Sequence, residues 1–151
     1  MLEMEAKEEG DAYLRLRRCL KVSVGTLEED IEAHPNIHQE ICEWHAWAKR
    51  RQAKAFASQR NRAAVHITDS RKTLSEDTSK RAWEASVDYK DAASKWMECS
   101  KSVDAWEGLR ESSLQKSYMI KSLVDLIAGG HVSTTIRPRE TTRARKRREK
   151  D

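Results

Sequence analysis

The sequence predicts an all-α fold, and three observations carry that prediction. Leu, Ile, Val and Phe together supply only 25 of the 151 residues. The shortfall is partly filled by 17 alanines, the strongest helix formers, and by five tryptophans. Charged residues make up 36% of the chain in mixed signs, with a net charge of only +4, a pattern suited to solvated helix faces. Apolar residues recur at spacings of three and four through long stretches free of Gly and Pro. Long helices with thin apolar seams must bury those seams against partner helices. The expected architecture is an elongated helical hairpin with a coiled-coil-like seam that assembles into an oligomer.

Residues 1–25 form an N-terminal segment with two readings. Leu14, Leu16, Leu20, Val22 and Val24 alternate with polar residues at the period of a strand, and an amphipathic helix fits equally well. A helical domain is expected over residues 26–131. Thr26 opens T-L-E-E-D, a helix start with acids in its first turn. Pro35 is expected to interrupt this helix and Asn36 to cap the next. Ile37, Ile41, Trp44 and Ala48 then make one stripe, and Ala53, Phe56, Ala63 and Ile67 a second on a rotated face. S-E-D-T-S at residues 75–79 is the expected turn.

After the turn comes the clearest pattern in the chain. Ala85, Tyr89, Ala92, Trp96, Cys99, Val103 and Trp106 alternate spacings of four and three, and the register continues to Ile120, Val124 and Ile127. Tyr89, Trp96, Val103, Trp106, Ile120, Val124 and Ile127 are therefore the expected oligomer interface, with Trp96 and Trp106 as packing anchors. Unbroken, residues 80–128 would extend roughly 70 Å at about 1.5 Å per residue. Gly108 is the place where this arm could bend, and Gly129-Gly130 is its expected stop.

Several classes of function are set aside by what the chain contains. Cys19, Cys42 and Cys99 are odd in number and far apart, so they suggest no disulfide framework. No run approaches the roughly 18 apolar residues of a membrane span, and the acidic N-terminus lacks an apolar signal core. A cytoplasmic protein without a membrane partner is expected. There is no Gly-rich phosphate loop, no carboxylate pair in an apolar setting and no nucleophile–base pattern, so neither an enzyme nor a cofactor is expected.

Two basic segments point instead to a polyanion. No acid occurs between Glu43 and Asp69, yet Lys49, Arg50, Arg51, Lys54, Arg60 and Arg62 fall there. At about 100° per residue, Arg51, Lys54 and Arg62 share a sector with Ser58, a stripe roughly 16 Å long. Such a stripe suits the phosphates of a single strand, with Trp44, Trp47 and Phe56 nearby for stacking, Trp47 first among them. A solvated face, or one paired with acids of another helix, is the plainer alternative. Lys49 and Arg60 lean toward the second apolar stripe, where a cation usually snorkels or meets an acid. The second segment is the tail, residues 132–151, where residues 137–151 hold eight basic residues against three acids. It is expected to be disordered when free and to bind polyanions through Arg143, Arg145, Lys146, Arg147 and Arg148. His38, Cys42 and His45 share one helical face at a spacing that can ligate zinc, but no fourth ligand is evident and no metal is expected.

The arrangement resembles the UvsY-type recombination mediators of tailed bacteriophages over about residues 26–131. The similarity lies in the start L-E-E-D-I-E-A-H-P-N-I-H and the basic helix around K-R-R-Q-A-K-A-F-A-S-Q-R-N-R. It lies most specifically in S-Y-M-I-K-S-L-V-D-L-I-A-G-G at residues 117–130. Residues 1–25 and the tail depart from the family pattern. The resemblance implies a ring-like homo-oligomer that binds single-stranded DNA and loads a RecA-like recombinase onto strands covered by single-strand-binding protein. It implies the host cell cytoplasm as the location, if the chain is phage-encoded. Only the basic positions within 49–62 carry over as DNA contacts, Arg51 and Lys54 ahead of Arg60 and Arg62. The competing reading is a structural or scaffolding helical oligomer whose basic tail merely tethers it to nucleic acid.

Overall fold

The computed structural model describes residues 2–21 and 24–130, and every element in them is helical. The order is α1 (Leu2–Arg18), a single 3-10 turn (Val24–Thr26), α2 (Leu27–Ser70), α3 (Glu76–Ala85) and α4 (Val87–Ala128). No strand occurs among the described residues, so the helical reading of the N-terminal segment holds and the strand reading falls. Its apolar side chains select the helix: Ala12 and Leu16, one turn apart, are both buried.

Pro35 does not interrupt α2. It lies inside the helix, exposed, with Ile31 one turn earlier on the same exposed side. The only intrahelical bond a proline removes is its own, to the carbonyl four residues back. Burial of His34 and Ile41, about 100–120° around the helix from Pro35, holds the helix through that gap, and Asn36 caps nothing.

The second arm is divided, and not at Gly108, which sits inside α4. The break is Ser86, which is extended at φ −70° and ψ 153°. Its hydroxyl donates to the Trp83 carbonyl at 2.6 Å and accepts from the Tyr89 N–H at 3.1 Å. One side chain thus ends α3 and begins α4. Ser75 caps α3 in the same manner, accepting from the Thr78 N–H, so the expected turn over 75–79 contracts to the residues before Glu76.

α2 and α4 run antiparallel as the two arms of a hairpin. Their register is fixed by His38 Nδ1 to Ser113 Oγ at 3.0 Å and by Gln52 Nε2 donating to Ser100 Oγ at 2.9 Å. The main core lies in the proximal half, where α1 covers both arms: Ala12, Leu16, Ile41, Ala48, Val103, Trp106 and Leu109. Trp106 is 1% exposed, stacked on Trp44 at 5.6 Å and met edge-on by Tyr13 at 5.4 Å.

Two polar nodes fix α1. Glu9 accepts from Trp106 Nε1 at 2.9 Å and from Ser102 Oγ, while its other oxygen accepts from Arg51 at 3.0 Å. The Lys116 ammonium, on a side chain only 1% exposed, donates to the Cys19 carbonyl at 2.7 Å and to Asp30 at 2.6 Å. It thereby neutralises the carbonyl end of α1 and the acidic start of α2 together.

The seam is used within the chain. Val103, Trp106 and Ile120 are buried against the chain's own helices and Tyr89 is half-buried, whereas Trp96 is 38% and Val124 40% exposed. Within one chain, therefore, Trp106 is a packing anchor and Trp96 is not. Ile127 is half-buried near the end of α4. The second stripe of α2 divides: Ala53 and Phe56 are exposed, whereas Ala63 and Ile67 are half-buried together with Gln52, Ala55, Gln59 and His66.

Candidate nucleic-acid interface

The middle of α2 remains helical through its basic zone because Ala, Gln, Lys and Arg are all strong helix formers. The structure separates the cations of this zone. Arg51 is committed to Glu9, with its guanidinium 5.3 Å from the Trp47 ring centroid, and so serves the docking of α1. Arg62 lines a different cleft, near the tip of the hairpin, with Asn61, His66, Trp83 and Asp88. The expected Arg51–Lys54–Arg62 stripe is thus not one free surface. Arg50, Lys54, Arg60 and Arg62 are exposed, and among the described residues none of these four forms an ion pair. Lys49 is exposed too, and its charge helps hold the Glu107 carboxyl below its usual value. The larger cause of that shift is the hydrogen bond from Arg110 to Glu107.

A second surface emerges in place of the stripe. Lys49, Ala53, Phe56 and Arg60 follow one another at spacings of four, three and four along a single helical row, and all four are exposed. Phe56, 53% exposed, is flanked by cations one turn after it and two turns before it. The antiparallel register, set by Gln52 and Ser100, brings Trp96 of α4 to the same height as Phe56. Hydrophobic periodicity places Phe56 on a face rotated away from the first stripe. The actual contact beside it is Gln52 to Ser100, which apolar spacing cannot reveal.

Trp47 is in unsuitable company for a base. With Trp44 it lines an open cleft of about 490 Å³ whose other walls are Glu8, Glu40 and Glu43. Three carboxylates would repel the phosphates adjoining a stacked base.

His38 is engaged by Ser113 and, at 3.6 Å, by the Cys42 sulfur. His45 Nε2 lies 3.5 Å from Glu107 Oε2, an electrostatic contact without hydrogen-bond geometry. Among the described residues no group of three His, Cys, Asp or Glu side chains is placed to hold a metal ion. Nor is any helix among them long and apolar enough to cross a membrane. Arg143, Arg145, Lys146, Arg147 and Arg148 lie outside the described residues.

Compared with protein-family models, with curated proteins and with solved structures, the chain matches none.

Proposed function

We propose that this protein is a non-enzymatic recombination mediator, a homo-oligomer that binds single-stranded DNA and loads a RecA-like recombinase onto strands covered by single-strand-binding protein. One observation carries the binding step. Phe56 stands exposed between Lys49 and Arg60 on a helix that has no acid from residue 44 to residue 68. An aromatic platform flanked by cations is what sequence-tolerant single-strand binding requires, because every base has a face to stack and every nucleotide a phosphate to neutralise. The basic tail adds long-range attraction by counterion release. The loading step, the recombinase and the single-strand-binding protein rest on the resemblance over residues 26–131.

The test is anisotropy of a labelled single-stranded oligonucleotide across a salt series. Phe56→Ala should weaken binding by about 1–3 kcal/mol, the range for loss of one stacked base. Lys49→Ala with Arg60→Ala should flatten the slope of log K against log salt by about 1.4, at about 0.7 for each phosphate no longer neutralised. Wild-type affinity and slope in both variants, with helicity intact, would remove the Phe56 row from the binding step and favour the scaffold reading.

A further inference from the structure

The cleft between α1 and α2 has a chemistry of its own, independent of the DNA reading. Its floor is aromatic, with Trp44 and Trp47 edge to face at 5.5 Å. Its walls are Glu8, Glu40 and Glu43. Glu40 is paired with Arg15, and Glu43 accepts only the neutral amide of Gln39, at 2.9 Å. Among the described residues neither Glu8 nor Glu43 forms an ion pair. The cleft thus keeps two uncompensated carboxylates beside two indole rings in a chain whose net charge is +4. Trp47 already takes the guanidinium of Arg51 on one side. A second guanidinium or ammonium is what the open side fits, by cation–π contact and charge together.

The chain carries such a ligand. Residues 143–148 read R-A-R-K-R-R, the densest run of positive charge in the sequence. Their reach is sufficient. Trp44 stacks on Trp106, so the cleft lies level with that residue, and α4 with its closing turn continues from there to Gly130 for roughly 36 Å. The residues from Gly130 to Arg143 can cover up to about 43 Å when extended. We propose that the acidic, tryptophan-floored cleft of Glu8, Glu43, Trp44 and Trp47 is a docking site for the basic segment 143–148 of the same chain. Held there, that segment is withheld from polyanions, and its release adds positive charge to the surface.

The experiment uses two full-length chains in low salt, the natural one and one with Arg143, Arg145, Lys146, Arg147 and Arg148 all changed to Ser. Their ¹⁵N spectra should differ at the Trp47 indole and at the amides of residues 40–47, and should converge in high salt. A synthetic peptide of residues 137–151 added to the neutralised chain should restore the natural shifts saturably. The natural chain should bind that peptide more weakly, because its own tethered segment competes for the cleft. Glu8→Gln with Glu43→Gln leaves the Arg15–Glu40 pair in place and should weaken peptide binding by about two- to thirtyfold, the range for two exposed ion pairs. A peptide with those five basic residues changed to Ser should not bind, an arm that does not depend on how any protein variant folds. Coincident low-salt spectra, equal peptide affinity for both chains, or undiminished affinity in the double Gln variant would each overturn the proposal. Natural shifts that appear only as protein concentration rises would place the segment on a second copy, which also overturns it.

Discussion

Changing Glu9 to Ala tests the central polar node of the fold. The carboxylate joins three helices: it accepts from Trp106 and Ser102 of α4 and pairs with Arg51 of α2. Trp106 is 1% exposed, so its indole N–H would be left buried without an acceptor, a penalty of about 1–3 kcal/mol. The Arg51 side chain is 31% exposed, so loss of its partner is screened and adds at most about 1 kcal/mol. The expected destabilisation is about 1–4 kcal/mol. Denaturant unfolding read by circular dichroism measures it, and Arg51→Ala provides the comparison at no more than about 1 kcal/mol. The same substitution frees the Arg51 guanidinium, and the salt slope for single-stranded DNA should steepen by about 0.7. If Glu9→Ala lies within about 0.5 kcal/mol of the natural protein, the three-way node does not hold α1, and water replaces it without cost.

Two further predictions follow from burial. Trp106→Ala should cost about 3–5 kcal/mol, whereas Trp96→Ala, at a 38% exposed site, should cost well under half as much; thermal melts of the two variants decide this, and equal costs would refute the placement of the core. His34 is held below its ordinary pKa first by burial and then by the charge of Lys116 and of His38, with Asp30 opposing. The folded state therefore takes up its proton less readily than the unfolded state. Stability should be intact above about pH 6.5 and fall as the pH drops below it. Unfolding midpoints measured between pH 7.5 and 5 should show this decline, and His34→Gln should make it shallower.

Much of the fold was legible because helices with alternating seams leave a clear trace. The hairpin and the stop at Gly129 follow from spacing and capping chemistry alone. The departures have definite causes. Pro35 removes one hydrogen bond, which burial of His34 and Ile41 outweighs. Ser86 breaks the second arm as a capping serine, with no Gly or Pro beside it to mark the place. Ala53 and Phe56 of the rotated stripe are exposed because the distal half of α2 meets the other arm through Gln52 and small residues, and a glutamine facing a serine has no hydrophobic signature. The basic zone was visible as composition, but its division was not. Glu9 lies 42 residues from Arg51 and 97 from Trp106, so only the folded chain shows which cation is already engaged.

The uneven filling of the hairpin gives it a mechanical polarity. Around Trp106 three helices interlock through aromatic rings and two polar nodes. Toward the tip only two layers remain, with Trp83, Ala92 and Cys99 the buried apolar side chains there. Residues 71–75 join the two arms covalently at the tip, so the arms are held at one end by the chain itself and at the other by the contacts around Trp106. Phe56 and Arg60 lie between those two holds, so a strand bound there would rest on a span supported at both ends.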